Sequence, residues 1–181
     1  YIYRITNTND FVIGTPILNR SNFYDKNVAG MFVNTCPLRI QVNNDINFVD
    51  FVSQISSRSM ELLRHQKYSY QSILEDIRKK DISVPSLYNV MLSYQVTHTI
   101  EKTEIPYSTR WIFNGNSNDD LDIQIYDVNN TGELDISYDY NIEKYTNTDI
   151  INLHNKLIFL INQILTNKSV ALNSLEIVTP E

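Results

Sequence analysis

Two runs of apolar–polar alternation constrain this chain most. Leu121, Ile123 and Ile125 alternate with polar residues, and so do Leu134, Ile136 and Tyr138. A period of two puts one side of each run on a core and the other in water. Asn129-Asn130-Thr131-Gly132 between them reads as a turn, so the two runs predict a β-hairpin with one wet face. A lone hairpin is marginal in water, so other elements must cover its apolar side.

Three amphipathic helices are available for that. Phe48, Phe51, Val52, Ile55, Ser59 and Leu62 share one face at helical spacing, with Asn47 as N-cap and Asp50 in the first turn. A second helix starts near Ser69 and carries Tyr70, Ile73, Leu74 and Ile77. Arg78-Lys79-Lys80 ends it, where the macrodipole favours cations. A third is capped at Asn147 or Thr148 and carries Ile150, Ile151, His154, Leu157, Ile158, Ile161, Ile164 and Leu165.

Further strands are expected. Phe11-Val12-Ile13 is a short buried run that ends in a turn at Gly14-Thr15-Pro16. Asn19 to Asn27 is polar and irregular, a loop. Met31 to Val42 reads as a strand in which Pro37 marks a bulge or an edge position. Tyr88 to Val96 and Thr109 to Asn114 read as strands, and Leu175 to Val178 as an edge strand. Strands, two helices, four strands and one helix, without repeats or a linker, predict an α/β fold: a mixed β-sheet with packed helices.

A length of 181 residues suits one domain with its own core. Lys plus Arg is 15 against 21 Asp plus Glu, and the resulting net charge of -6 argues against nucleic acid as a partner. No apolar run is long enough to span a bilayer, so no membrane partner is expected. The single cysteine, Cys36, excludes an internal disulfide and reads as a buried, inert thiol.

No self-sufficient active site emerges. His65, His98 and His154 share no metal-ligand spacing, so no metal is expected. His154 reads as a core or boundary residue, His98 as exposed, His65 as a helix-end imidazole. Asp119, Asp120 and Asp122 resemble a calcium loop only loosely, lacking its Gly and terminal Glu, and read as a solvated turn. Gly14-Thr15-Pro16 lacks the Gly-Lys-Ser/Thr of a phosphate loop, and no Gly-x-Ser-x-Gly elbow occurs.

One run is specific: Val28-Ala29-Gly30-Met31-Phe32-Val33-Asn34-Thr35-Cys36-Pro37-Leu38-Arg39. It closely resembles the Gly-x-Phe-Val-Asn-Thr … Arg motif of nonribosomal peptide synthetase condensation domains. Ile13-Gly14-Thr15-Pro16-Ile17-Leu18-Asn19-Arg20 is similar to the family's Gly-Thr-Pro … Arg segment. His65-Gln66-Lys67-Tyr68-Ser69-Tyr70 is similar to His-Gln-Asp-Tyr-Pro-Phe, with Ser69 for Pro and Tyr70 for Phe. Asp81 to Leu87 resembles Asp-x-Ser-Arg-Asn-Pro-Leu, with Val84, Pro85 and Ser86 for Arg, Asn and Pro. The motifs come in the family's order along nearly the whole chain.

The resemblance implies one lobe of the chloramphenicol-acetyltransferase-like, CoA-dependent acyltransferase fold. Members have two such lobes, with a His-His-x-x-x-Asp-Gly motif in the N-terminal one. This sequence has no His-His pair, so residues 1–181 resemble the C-terminal lobe, with Tyr1 to Ile5 as the end of a helix begun upstream. The intact domain would form an amide bond between carrier-bound acyl or peptidyl and aminoacyl thioesters in a tunnel between the lobes. No catalytic residue is then expected in this chain, which would be inactive alone. The loop from Gly14 to Asn27 would floor the tunnel. Ser83, Pro85, Leu87, Met91, Ser93 and Gln95 would line it. Gly14, Arg20, Gly30, Phe32, Asn34, Thr35, Arg39, His65 and Gln66 carry the family motifs, and structural roles for them rank ahead of catalytic ones. No cofactor bound by the chain is implied; phosphopantetheine arms would come on partner carrier domains. Implied partners are the N-terminal lobe, peptidyl carrier protein domains and an adjoining adenylation domain, in the cytoplasm. A lobe of another acyltransferase of the same fold and a non-catalytic carrier-docking module stand as alternatives.

Overall fold

A computed structural model describes residues 1–43, 45–97, 112–113, 115–128 and 131–178. The elements are α1 (Ile2–Thr6), β1 (Asp10–Ile17), α2 (Phe23–Asn27), β2 (Asn34–Gln41), α3 (Phe48–Arg64), α4 (Tyr70–Arg78), β3 (Val90–Thr97), β4 (Leu121–Val128), β5 (Leu134–Tyr140) and α5 (Asn147–Thr166). A 3-10 turn follows at Leu172–Ser174. The strands form one sheet in the order β2-β1-β3-β4-β5. Pairings β1–β2 and β4–β5 are antiparallel, β1–β3 and β3–β4 parallel. The sheet is mixed, as the pattern predicts.

Alternation gives the sheet two faces of opposite character. Phe11, Ile13, Leu38, Ile40, Leu92 and Ile123 share one face, by register. The core lies there: Leu38, Ile40, Val42, Leu160, Leu172 and Leu175 are buried together, and Phe48, Phe51, Ile55, Leu62 and Ile164 pack against them. The α3 stripe therefore docks as its spacing predicts, except that Val52 lies 46% exposed at the margin.

Local signals set the helix starts. Asn47 Oδ1 accepts from the Asp50 N–H at 2.9 Å, and Ser69 Oγ from the Ser72 N–H at 3.1 Å. The N-cap of α5 is Thr146, one residue before Asn147 and two before Thr148. Thr146 and Asp149 form a reciprocal capping box there, which Asn147 and Thr148 have no acidic partner at the right spacing to make.

Several expectations are corrected. The turn at Gly14-Thr15-Pro16 is instead the second half of β1, where Gly14 pairs with Pro37 and Pro16 with Thr35. Gly14 serves close approach rather than a turn, as the Tyr88 ring lies on it. Met31 to Val33 stay outside β2, which is an edge strand and so tolerates Pro37. The loop from Asn19 to Asn27 contains α2, capped by Asn22 Oδ1 at 2.8 Å from the Asp25 N–H. Leu175 to Val178 forms no strand. The Gln163 side chain takes both backbone groups of Glu176, Nε2 to O at 2.8 Å and N–H to Oε1 at 2.9 Å. A side chain thus satisfies what a strand partner would have. The strand expected at Thr109 to Asn114 and His98 lie outside the described residues, except that Ile112 and Phe113 are exposed and not in a strand.

Candidate functional site

The second face of the sheet is polar. Register places Met91, Ser93 and Gln95 of β3 beside Asp122, Gln124 and Tyr126 of β4, and these beside Asp139, Ser137 and Asp135 of β5. Alternation predicts a wet face for the hairpin here, yet Ser93, Asp122 and Gln124 are buried. Most of their polar atoms are accordingly engaged by neighbouring side chains. Gln95 Nε2 donates to Ser93 Oγ at 2.9 Å, Gln124 Nε2 to Asp139 Oδ2 at 2.8 Å, and the Tyr126 hydroxyl to Gln124 Oε1. Ser117 Oγ donates to Asp122 Oδ2 at 2.9 Å.

The aspartates beside this face are not a solvated turn. Asp122 is buried as the second residue of β4. Asp120 accepts from Lys144 Nζ at 2.8 Å. Burial, then the Asp122 charge, pushes the Asp119 carboxyl up to about 6. Burial raises Asp122 as well. Tyr88, just before β3, is buried; desolvation and the nearby Asp119 push its hydroxyl above the usual tyrosine range, while Thr35 hydrogen-bonds it. Sequence reasoning missed this cluster. Its signal was Asp122 at a polar position of an alternating strand, which alternation alone assigns to water.

The residues expected to line a tunnel divide in two. Met91, Ser93 and Gln95 share the polar face. Ser83, Pro85 and Leu87 belong to the segment joining α4 to β3. Ser83 is exposed, and its Oγ and N–H donate to Asp81 Oδ1 at 2.6 and 3.0 Å. The Pro85 carbonyl accepts from Arg78 Nη2 at 2.7 Å, and the Leu87 N–H donates to the Tyr70 hydroxyl at 3.1 Å.

The motif residues make structural contacts. Arg20 gathers the 20–30 loop: its guanidinium donates to the carbonyls of Asp25, Val28 at 2.7 Å and Gly30 at 2.8 Å. It also lies 4.1 Å over the Phe32 ring. Gly30 has φ 149, which disfavours a side chain there. Asn34 Nδ2 donates to the carbonyls of Gln66 at 3.0 Å and Tyr68 at 3.2 Å, tying β2 to the α3–α4 turn. Gln66 Nε2 donates to the Leu63 carbonyl at 2.8 Å. His65 is exposed, and its N–H closes α3 on the Leu62 carbonyl at 3.0 Å. Arg39 grips Asp10 through two bonds of 2.8 and 2.5 Å. Cys36 is buried beside Asn34, and burial raises its thiol. His154 Nδ1 meets the Tyr138 hydroxyl at 3.0 Å.

A cavity of about 680 Å³ lies on the apolar face, between the sheet and α1, α3 and α5. Ile13, Leu92, Ile123, Ile150, Leu153 and Leu157 are among its lining residues. It offers volume but few groups for chemistry. Among the described residues, no cluster of three or more His, Cys, Asp or Glu side chains is set to hold a metal, and no helix is long and apolar enough to cross a membrane.

The family model described as "Condensation domain" matches residues 1–181. The chain belongs to the condensation-domain family. Among the relatives of this condensation-domain chain is surfactin synthase subunit 1 of Bacillus subtilis (strain 168). The two are 32% identical over 179 residues, 99% of this chain and 5% of that protein. The starter condensation domain of rhizomide synthetase has the same fold, with a TM-score of 0.75 at 20% identity, covering 99% of this chain and 42% of that one. A four-domain nonribosomal peptide synthetase bound to AMP and glycine matches with a TM-score of 0.82 at 19% identity, over 98% of this chain and 15% of that one. The chain thus spans a small part of the curated relatives and under half of the solved starter domain. The expected lobe of the acyltransferase-like fold agrees with these neighbours.

Proposed function

We propose that residues 1–181 form the C-terminal lobe of a nonribosomal peptide synthetase condensation domain. The observation that carries this reading is coverage: the family model takes in the whole chain, yet the chain covers 42% of a solved condensation domain. A two-lobed domain leaves room for one further lobe of similar size. In the intact domain the acceptor's α-amine attacks the donor thioester carbonyl, an amide forms and the donor's carrier thiol leaves. Positioning the two thioesters supplies much of the rate. The histidine motif of the N-terminal lobe supplies the rest.

This lobe contributes the wall from Met91, Ser93 and Gln95, continued by Ser83, Pro85 and Leu87, and the loop from Gly14 to Asn27 as floor. Arg20 supports that role by fixing the loop's shape through three carbonyls. The partners are the N-terminal lobe, peptidyl carrier domains with their phosphopantetheine arms, and a neighbouring adenylation domain, all in the cytoplasm. The test is reconstitution. The 181-residue chain should make no amide from an acyl and an aminoacyl N-acetylcysteamine thioester, and should do so once joined to the domain's N-terminal lobe. Amide formation by the isolated chain would overturn the lobe reading.

A further inference from the structure

At the centre of the sheet the polar face is better buried than the apolar one. Ser93, Asp122 and Gln124 are 3%, 5% and 7% exposed. Leu92 and Ile123, their neighbours on the apolar face, are only half-buried. Burial of apolar surface is the main favourable contribution to folding, so the apolar side of β3 and β4 lacks part of its cover. The cavity of about 680 Å³ marks the place. Leu153 and Leu157, which line it from α5, are half-buried too.

The lining shows what kind of group belongs there. Its floor is apolar: Ile13 of β1, Val90 and Leu92 of β3, Leu121 and Ile123 of β4. These strands are neighbours in the sheet. At about 4.8 Å between strands, the floor is about 10 Å across. A small molecule needs fixed polar groups to orient it. Two polar side chains of the lining are already engaged, Lys144 with Asp120 and Asp149 with Thr146. An apolar-faced cylinder about 10 Å in diameter fits instead, and an α-helix is one.

Helix α1 enters the cavity from one end. Tyr1, Ile2 and Ile5 line it, at a spacing that puts them on one helical face. No side chain caps the first turn of α1. The Tyr1 amine is mostly buried; this burial, then the Arg4 charge, holds it below the usual amine range. A buried ammonium is costly, whereas a peptide N–H at that point would sit inside a continuing helix. This chain covers 42% of the solved starter condensation domain, so a protein of that size holds further chain enough to supply such a helix.

We propose that about two turns of chain immediately before Tyr1 continue α1 as a helix that fills this cavity, with its apolar face against β1, β3, β4 and α5. The inference goes beyond the condensation reading and holds for any reaction of the longer protein. It makes the uncovered part of the sheet an interaction surface whose partner lies outside residues 1–181.

The test compares the 181-residue chain with the same chain preceded by its own next residues, about 20 of them. Each carries Leu153→Cys or, as a control on an exposed position of α5, Asn155→Cys. Labelling with N-ethylmaleimide is read by peptide mass, which separates both positions from Cys36. Extension should slow labelling at position 153 at least tenfold and leave position 155 within about twofold. The unsubstituted chains give two further readouts, so a Leu153→Cys variant that fails to fold does not remove the test. Anilinonaphthalene sulfonate should bind the short chain and not the extended one, and the added residues should show helical α-carbon shifts. Unchanged labelling at position 153 or non-helical shifts would overturn the proposal. Dye binding retained by the extended chain would also overturn it, in favour of a ligand pocket. Protection of position 153 in the short chain that grows with protein concentration would give the cavity to a second copy, again against the proposal. A filled cavity in a two-lobed domain that makes no amide would leave this inference standing and sink the proposed function. Condensation by a domain whose cavity stays open would do the reverse.

Discussion

Gly14 lies under the ring of Tyr88, so close that a Cβ on residue 14 would sit 2.4 Å from Tyr88 Cε2. Tyr88 is buried, its ring rests 5.2 Å from that of Tyr70, and its hydroxyl bonds Thr35. The ring therefore cannot swing clear of an added methyl. Gly14→Ala should destabilise the lobe by about 1–3 kcal/mol, the usual range for overpacking. Urea unfolding of Gly14→Ala, Tyr88→Leu and the double variant checks this. The double variant should be more stable than the sum of the single effects predicts, because a leucine in place of the tyrosine ring leaves room for the methyl. Simple additivity would refute the contact's role.

Asn34 joins β2 to the α3–α4 turn through one amide nitrogen and two carbonyls. Asn34→Ala leaves both acceptors short of a donor and should destabilise by about 1–3 kcal/mol. Asn34→Asp should be worse than Ala, since it turns an acceptor toward two acceptors. Thermal melts of both variants give the order, and an Asp variant at least as stable as Ala would contradict it.

Arg20 works as a fork. Three carbonyls and the Phe32 ring need a planar, multidentate cation, and a lysine offers a point charge with one geometry at a time. Arg20→Lys should leave the melting temperature of the sheet nearly unchanged and loosen the loop. Amide hydrogen exchange should speed up over residues 22–30 and stay constant in β1 and β3. Unchanged exchange in the loop would count against this role.

Asp10 and Asp119 should titrate in opposite senses. The Arg39 guanidinium bonds Asp10 and lowers its carboxyl to about 2. Its ionised form is favoured by folding, so its contribution is present above the ordinary carboxylate value and is lost as pH falls through about 2. Arg39→Gln should bring the Asp10 midpoint back toward the ordinary range. For Asp119, raised to about 6, folding favours the neutral form. Stability should therefore decline as pH rises from near 4 to 6 and level off above. Asp119→Asn should flatten that decline and stabilise the chain at pH 7. Urea midpoints at pH 4, 5, 6 and 7 test the sign, and a wild-type profile in the Asn variant would refute it.

The capping box of α5 offers a calibrating case. Thr146→Ala removes both hydroxyl bonds to Asp149 and should cost about 1 kcal/mol, read from thermal or urea unfolding. Asp149 is held below the usual carboxylate range by Thr146, so its midpoint should rise in the same variant.

The sequence by itself determined the elements whose signals are local. Alternation placed β4 and β5, and the stripe of Phe48, Phe51, Ile55 and Leu62 placed α3. Asn47 and Ser69 marked helix starts because a capping oxygen needs only the next three residues. The ordered motifs named the family for the same reason, since they are read directly along the chain. Tertiary structure decided the rest. Gly14-Thr15-Pro16 reads locally as a turn, and only pairing with β2 and the Tyr88 ring make it strand. Glu176 reads as the middle of an edge strand, and only Gln163, thirteen residues away in sequence, replaces the missing partner. Asp119 and Asp122 read as a solvated turn, because nothing in their own segment shows that Asp139 and Tyr88 will close around them. Alternation fixes which side of a strand a residue faces; what covers that side depends on contacts between segments far apart in sequence.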